Sequence, residues 1–272
     1  MTLTSHTTDG AATTWRPRIV ALDVDGTIVD YDNEMTDAVR QAVRATAEAG
    51  MHCVISTGRS VSGVMDAVQK LGFTEGLAVA SNGSVVFSYD PITILHTVTF
   101  DAGPAVRALM AEVPEAAVAV ENVGVGFRMN KPFPDGELGG EIAHEPIEDL
   151  IAEPVTRVIV RSPDSSAEEF AELAHSLGLE GTNYYVGYTA WLDLAPEGVS
   201  KAAGLEQVCA ELGVDRADVL AIGDGSNDVE MLEWAGRGVA MGHAPLHVQA
   251  VADDVTETVE NDGVVRELEK YL

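Results

Sequence analysis

Short apolar segments that alternate with helix-like segments constrain the fold of this chain more than any other feature. In the first third, strands are predicted at residues 18–24, 52–56 and 77–80, and helices at 36–49 and 61–71. Strands that alternate with helices form a parallel sheet, because each helix returns the chain across the sheet by a right-handed crossover. The pattern predicts an α/β core.

The middle of the chain departs from this pattern. Residues 84–98 alternate like a hairpin, and from about 101 to 190 strands outnumber helices, which favours an α+β module. After Gly198 the first pattern returns, with a helix at 201–212 and a buried strand at 219–222. One α/β core split by an insertion is therefore predicted. Its parts are a disordered tail at residues 1–17, core segments at 18–98 and 191–272, and an inserted domain at 99–190.

The charge balance limits the partners of the chain. There are 44 acidic and 16 basic residues, a formal net charge of −28, and 46% of residues are hydrophobic. Such a surface repels nucleic acids and anionic membranes, so neither is an expected partner. Cys53 and Cys209 are the only cysteines and form no framework, and residues 1–17 do not resemble a signal peptide. A reducing compartment, the cytoplasm, is expected.

Polar residues follow four of the predicted strands. They are Asp23-Val24-Asp25-Gly26-Thr27, Ser56-Thr57-Gly58-Arg59, Ser81-Asn82-Gly83 and the segment from Gly223 to Asp228. Ligands of open α/β sheets bind beyond the carboxyl ends of the strands. Four polar strand ends at one edge therefore indicate a binding or catalytic site.

The residue types at these strand ends favour a magnesium phosphate site. Carboxylates of Asp23, Asp224 and Asp228 would repel one another unless a cation neutralised them, and oxygen-only ligands suit Mg²⁺. Magnesium held by few carboxylates usually also holds a substrate phosphate. Thr57, Gly58 and Lys201 supply a hydroxyl, an open backbone amide and a positive charge for that phosphate. A small phosphorylated metabolite is thus the expected partner.

These motifs, in this order, resemble those of the haloacid dehalogenase-like phosphatases. Three further segments are similar to the corresponding segments of the Cof-type subgroup. They are Ser81-Asn-Gly83, Pro196-Glu-Gly-Val-Ser-Lys201 and Val239-Ala-Met-Gly242. The resemblance covers about residues 18–272. It implies a Rossmann-like parallel-sheet core with an inserted α+β cap domain, and a Mg²⁺-dependent phosphatase activity.

The resemblance also implies roles for the matched residues. Asp23 would be the nucleophile that forms an aspartyl-phosphate, and Asp25 the general acid and base. Asp23 and Asp224 would give carboxylates to magnesium, Asp25 its backbone carbonyl, and Asp228 a direct or indirect contact. The expected phosphate ligands are Val24 (through its amide), Thr57, Gly58, Lys201 and Asn227.

Some residues near these motifs are further candidates for substrate contact. They are Asn82, Arg59 and His243, of which His243 departs from the subgroup, where Gly-Asn-Ala is usual and this chain has Gly242-His-Ala244. Ala202 follows Lys201 where glycine is common. In the cap, Phe127, Arg128 and Lys131 are candidates to face the substrate, whereas Trp191 is expected to pack.

Two other functions stay open from the residues alone. A phosphomutase would use the same chemistry but return the phosphoryl group to the substrate. A sugar-phosphate binder would not turn over, although the intact Asp25 argues against it. Sugar phosphates are the leading substrate class by resemblance, with flavin mononucleotide and pyridoxal phosphate as alternatives.

Asp23 and Asp25 would point to the same side if the strand continued through both. Their unequal roles require the strand to break its alternation near Asp25. Gly26 permits such a bend, because glycine adopts backbone conformations that other residues avoid.

Overall fold

The computed structural model describes residues 15–134, 136–162, 166–177, 182–186 and 191–272. Residues 1–14 of the predicted tail lie outside this part. The prediction is wrong for residues 15–17, because they pack on the core. The Trp15 indole donates a hydrogen bond of 2.9 Å to the Ala217 carbonyl, its ring meets the edge of Tyr271, and Pro17 is buried.

Fourteen strands are present among the described residues. The first five are β1 (Ile19–Leu22), β2 (His52–Ser56), β3 (Gly76–Ala80), β4 (Val85–Tyr89) and β5 (Thr93–Thr97). The next six are β6 (Ala117–Asn122), β7 (Gly126–Met129), β8 (Glu141–His144), β9 (Val158–Arg161), β10 (Thr182–Val186) and β11 (Trp191–Pro196). The last three are β12 (Val219–Gly223), β13 (Arg237–Ala240) and β14 (Asp254–Val255).

Nine α-helices accompany these strands in the same described ranges. They are α1 (Asp37–Glu48), α2 (Val61–Leu71), α3 (Gly103–Glu112), α4 (Ile147–Leu150), α5 (Ala167–Leu177), α6 (Lys201–Leu212), α7 (Val229–Trp234), α8 (Leu246–Gln249) and α9 (Gly263–Leu268). Within the described ranges, none of them is both long and apolar enough to cross a bilayer.

The core sheet has the strand order β14-β13-β12-β1-β2-β3-β4-β5. The six strands from β14 to β3 are parallel, and β4 and β5 extend the sheet as an antiparallel hairpin. Strand β1 is central, with Ile19 opposite Val219 on one side and His52 on the other. The carboxyl ends of β1, β2, β3 and β12 therefore meet at one edge, as the alternating pattern predicts.

Helices cover both faces of this sheet. Val20 and Leu22 of β1 face the layer that contains α1, α2 and α9, whereas Ile19 and Ala21 face α6, α7 and α8. All four β1 side chains are fully buried. A strand buried on both faces needs a continuous apolar run, which is why this segment is apolar throughout.

A second sheet of order β10-β11-β9-β6-β7-β8 forms the inserted domain. Helices α3 and α5 pack on one face, against residues such as Val118, Val158 and Leu192. The predicted boundary at residues 190/191 is wrong, because β11 belongs to this second sheet. Leu192 and Leu194 pair with β9, so the inserted sheet extends to Pro196.

Candidate active site

The four polar strand ends predicted to converge do meet at the carboxyl edge of the core sheet. The Asp23 amide donates to the Ile222 carbonyl (3.0 Å), which joins the loops after β1 and β12. The Asn82 amide donates to the Thr57 carbonyl (3.0 Å), which joins the loops after β3 and β2. Backbone hydrogen bonds thus fix these loops relative to one another.

Three buried carboxylates form the centre of the site. One oxygen each of Asp23, Asp224 and Asp228 lies within 4.8 Å of the others. The Lys201 ammonium is fully buried and lies 2.6 Å from Asp23 Oδ1 and 2.6 Å from Asp228 Oδ1. Lys201 is the first residue of α6, and the Ser200 hydroxyl caps that helix by accepting from the Ala203 amide.

The cluster carries more negative charge than Lys201 balances. Burial, and then the neighbouring charge of Asp228, hold the pKa of Asp23 well above its usual range, and Lys201 offsets this only in part. Burial and Asp228 also raise the pKa of Asp224. Burial alone would lower the pKa of Lys201, but Asp228 and Asp23 outweigh it and raise that pKa. A hard cation with oxygen ligands would relieve the repulsion, so the donor set fits Mg²⁺.

Both oxygens of Asp228 are already engaged by the protein. Asp228 Oδ1 contacts Lys201, and Asp228 Oδ2 accepts from the backbone amides of Asp224 (3.0 Å) and Gly225 (2.8 Å). Among the described residues, Asp23 and Asp224 accept from no backbone amide in this way and share a neighbour, the Thr27 hydroxyl, at 3.4 Å from each. The geometry therefore favours Asp228 as a residue that positions the cluster.

Two aromatic side chains, Tyr31 and His243, lie next to Asp224 Oδ2. The Tyr31 hydroxyl donates to Asp224 Oδ2 (3.2 Å), and His243 Nε2 lies 3.4 Å from the same atom. The Val259 amide donates to His243 Nδ1 (3.3 Å), which leaves the ring hydrogen on Nε2, toward Asp224. His243 thus contacts the cluster directly. Sequence reasoning missed Tyr31, which carries no local signal.

The chain breaks its strand alternation at Asp25, as predicted. Strand β1 ends at Leu22, and the Val24 carbonyl accepts from the amides of Thr27, Ile28 and Val29 in a tight turn. Gly26 has φ +79°, and a Cβ there would lie 2.4 Å from Asp224 Oδ2. The Asp23 side chain is 7% exposed and that of Asp25 52% exposed, so the two carboxylates have different surroundings.

Arg59 holds the Asp25 carboxylate in a bidentate pair. Its Nη2 and Nε donate to Asp25 Oδ1 (2.5 Å) and Oδ2 (3.0 Å). The same guanidinium donates to Asn33 Oδ1 (2.9 Å) and Asp66 Oδ2 (3.3 Å). Planar fork-to-fork pairs fix orientation as well as charge. Arg59 therefore orients Asp25.

The predicted phosphate-binding residues surround this centre. Thr57, Gly58 and Asn227 line the same cavity as Asp23. The Asn227 side-chain amide donates to Asn82 Oδ1 (2.9 Å), and a Cβ at Gly58 would lie 3.1 Å from that oxygen. Asn82 has a left-handed backbone (φ +54°), a conformation that costs energy and is common at functional sites.

A cavity of about 760 Å³ lies between the core site and the inserted sheet. Its cap wall includes Phe127, Ile159, Trp191, Arg157 and Asp193. Phe127, a predicted candidate to face the substrate, lines this cavity. The packing role predicted for Trp191 is incomplete, since Trp191 contacts Phe133 and also lines the cavity.

Arg128 and Lys131, the other two cap candidates, lie away from this cavity. Arg128 alternates with Phe127 along β7 and pairs with Glu145 at 2.9 Å. Lys131 pairs with Glu115, also at 2.9 Å. Neither residue lines the cavity described above.

Sequence reasoning missed the buried ion pair on the cap wall. Arg157 donates to both oxygens of Asp193, at 2.5 Å and 2.6 Å. A signal was present, because Trp191 and Asp193 alternate with Leu192 and Leu194 in one strand. That alternation places Asp193 on the face opposite the cap core.

The fold and the site together define an α/β enzyme whose acidic centre lies under an inserted domain. A family model described as haloacid dehalogenase-like hydrolase matches residues 20–268. The chain belongs to this family. The expected fold, the Cof-type resemblance and the phosphatase class are thereby confirmed.

Named relatives cover almost the whole chain. The phosphoglycolate phosphatase of Natronomonas pharaonis is 30% identical, over 92% of this chain and 96% of its own. The 5-amino-6-(5-phospho-D-ribitylamino)uracil phosphatase YitU of Bacillus subtilis is 25% identical, over 94% and 98%. Among solved structures, BT1666 from Bacteroides thetaiotaomicron, a phosphatase of this superfamily, is 26% identical with a TM-score of 0.77, over 94% and 95%.

Proposed function

We propose that this protein is a Mg²⁺-dependent phosphatase that hydrolyses a small phosphomonoester through an aspartyl-phosphate at Asp23. The observation that carries the proposal is the contact of Lys201 with Asp23 and Asp228 beside a third buried carboxylate, Asp224. This buried acidic centre opens into a cavity large enough for a small metabolite. Free thiols at Cys53 and Cys209 fit the cytoplasm as its location.

Asp23 is suited to attack phosphorus. Its Oδ1 contacts Lys201, whose positive charge favours the ionised carboxylate, and its other oxygen is available for the new bond to phosphorus. As that bond forms, the bond from phosphorus to the ester oxygen breaks. In its protonated form, Asp25, which Arg59 orients, donates its carboxyl proton to the departing oxygen, which leaves as an alcohol.

The second half of the reaction reverses the role of Asp25. Asp25 takes a proton from a water molecule, the water oxygen bonds to phosphorus, and the acyl phosphate bond breaks. Inorganic phosphate leaves and the Asp23 carboxylate is restored. In both halves, Thr57, Asn227 and Lys201 would hold the phosphate oxygens.

Magnesium would be held by Asp23, Asp224 and the backbone carbonyl of Asp25, with Asp228 positioning the first two. When bound, it would neutralise charge on the phosphate oxygens. Phosphoryl transfer depends mainly on such positioning and neutralisation.

A sugar phosphate or a related polyol phosphate is the proposed substrate class. The named relatives act on a phosphorylated ribityl compound and on phosphoglycolate, two esters that differ in the charge of the attached group. Flavin mononucleotide and pyridoxal phosphate remain alternatives for a cavity that contains Trp191 and Phe127.

Phosphate release from 4-nitrophenyl phosphate and from a panel of sugar phosphates tests the proposal. Release that requires Mg²⁺, stops with a chelator and returns when Mg²⁺ is restored is expected. Full activity in the chelator would contradict the metal role. An isomerised sugar phosphate without free phosphate would indicate the phosphomutase, and saturable binding without either product would indicate the binder.

A further inference from the structure

We propose that the cavity selects phosphate esters whose attached group carries no second negative charge, and that the Arg157–Asp193 pair on the cap wall enforces this selection. The inference rests on the proposed phosphatase function and specifies its substrate class. It follows from where the positive charges of the cap are used and from which charges line the cavity.

Every basic residue of the inserted domain is already paired with a carboxylate. Residues 99–196 contain five basic and seventeen acidic residues. The five pairs are Arg107–Glu148, Arg128–Glu145, Lys131–Glu115, Arg157–Asp193 and Arg161–Glu137. The cap therefore has no unpaired cation to offer to an anionic group of a substrate.

Arg157 is the basic residue of the cap wall that reaches the cavity. Its Nε and Nη2 are used by the two oxygens of Asp193, and both side chains are about nine-tenths buried. A second buried carboxylate, Glu121, lies close enough to Arg157 for the charge of each to affect the pKa of the other. The positive charge of Arg157 is thus matched by negative charge within the cap itself.

On the core side of the cavity, the positive charges are also paired with carboxylates. Arg59 lines it but is held by Asp25 and Asp66. Lys201 is fully buried between Asp23 and Asp228. In the part of the chain that the structure describes, no cation that lines the cavity lacks a carboxylate partner.

The lining as a whole is acidic. Among the described residues it contains two arginines and six carboxylates, which are Asp23, Asp25, Asp66, Glu137, Asp193 and Asp224. A magnesium ion and a phosphate dianion add charges that cancel. A further anion on the substrate would therefore meet net repulsion in a partly desolvated site.

An uncharged polar group would instead find partners on these walls. Carboxylate oxygens of Asp193 and Asp66 have lone pairs left to accept hydrogen bonds from hydroxyls. Trp191 and Phe127 offer apolar surface to the carbon-bound hydrogens of the same group. A neutral hydroxylated chain fits this combination.

Two pairs of esters that differ only by CH₂OH or carboxylate test the inference. They are 2-hydroxyethyl phosphate against phosphoglycolate, and D-glucitol 6-phosphate against 6-phospho-D-gluconate. We expect kcat/KM for the neutral member to exceed that for the acid at least tenfold in both pairs. Equal or higher values for the acids, with phosphate still released, would overturn the inference and leave the phosphatase function intact.

The variant Asp193→Asn tests the ion pair. It removes one negative charge and frees the Arg157 guanidinium. We therefore expect kcat/KM for the acidic esters to rise, so that the ratio of kcat/KM for the neutral ester to that for the acid falls at least fivefold. A merely structural role would lower both values together and leave the ratio unchanged, which would contradict the role of the pair. Because Asp193 is buried, the melting temperature is measured in parallel.

Asp66→Asn is a second variant, at a half-exposed position of α2. We expect it to lower the preference for the neutral esters as well, but by less than Asp193→Asn. If the wild-type protein released no phosphate even from 4-nitrophenyl phosphate, the proposed function would fail. Calorimetric titration with the same ester pairs in Mg²⁺ would then test the charge selection alone, by whether the neutral members bind more tightly.

Discussion

The Lys201 ammonium lies 2.6 Å from a carboxylate oxygen of Asp23 and 2.6 Å from one of Asp228, and all three residues are buried. One cation thus links the residue proposed as nucleophile to the residue that anchors the loop after β12. Removal of one partner of a buried ion pair is costly, because the remaining charge has no compensation.

Lys201→Met should therefore reduce both activity and stability. We expect kcat/KM to fall about 100-fold or more, and the free energy of unfolding to fall by about 3 kcal/mol. Phosphate release and urea unfolding measure the two effects. Lys131→Met is the matched control, since the Lys131–Glu115 pair is exposed and such pairs contribute about 0–1 kcal/mol. Wild-type activity in Lys201→Met would contradict the role of this cation.

Arg59→Lys should lower kcat by about tenfold, because lysine cannot form the two parallel hydrogen bonds that orient Asp25. Steady-state kinetics with 4-nitrophenyl phosphate measure the change. Arg40→Lys, at a surface pair with Asp37, serves as the control and should leave kcat unchanged. An equal kcat in both variants would show that the orientation of Asp25 by Arg59 is unimportant.

Gly26→Ala should damage the site more than the fold. Gly26 and Gly50 both have positive φ values (+79° and +89°), so alanine at either position should cost about 1–2 kcal/mol of stability. Only at Gly26 would the new Cβ press on Asp224, since nothing lies within 4 Å of one at Gly50. We expect Gly26→Ala alone to weaken Mg²⁺ binding, measured by calorimetry. Equal Mg²⁺ affinity in both variants would argue against this contact.

Because the thiols of Cys53 and Cys209 have raised pKa values, we expect the free energy of unfolding to fall in alkali. Burial raises the pKa of the Cys53 thiol to about 12 and that of Cys209 to about 11, against about 8.5 in an unfolded chain. The folded state keeps these protons when the unfolded state loses them. Their contribution is therefore complete below pH 8.5 and declines above it, by at most about 1.4 kcal/mol per pH unit for each thiol.

Urea unfolding at pH 7.5, 8.5 and 9.5 measures this decline. Cys53→Ala should flatten the pH dependence, and the double variant with Cys209→Ala should flatten it further. Slow alkylation of both thiols by iodoacetamide in the folded protein is expected for the same reason. An unchanged slope in the double variant would mean that other groups control stability in alkali.

Much of the site was predictable because its signals are local. Each apolar run that ends in polar residues defines a strand end, and parallel strands bring such ends together whatever the rest of the chain does. Asp23, Thr57, Asn82 and Asp224 were located in this way. The bend at Gly26 followed from the unequal roles implied for Asp23 and Asp25 by the family resemblance.

The contacts that the sequence did not predict depend on how distant elements meet. Tyr31 reaches Asp224 across 193 positions, and Glu121 of the cap accepts from the Ser81 hydroxyl of the core. Phe127 and Arg128 are neighbours on β7 and face opposite sides of the sheet, so only one of them can line the cavity. The sequence alone does not fix the register that decides which one does. The end of the inserted sheet at Pro196 was missed because β11 runs directly into the loop before Lys201.

Phosphate release by Asp23→Asn, compared with the wild-type protein at equal Mg²⁺, tests the proposed nucleophile. Asparagine keeps the shape of the side chain but cannot form the acyl phosphate, so we predict a loss of about 10³-fold or more with a folded protein by circular dichroism. Activity of the variant within tenfold of the wild type would contradict an aspartyl-phosphate at Asp23.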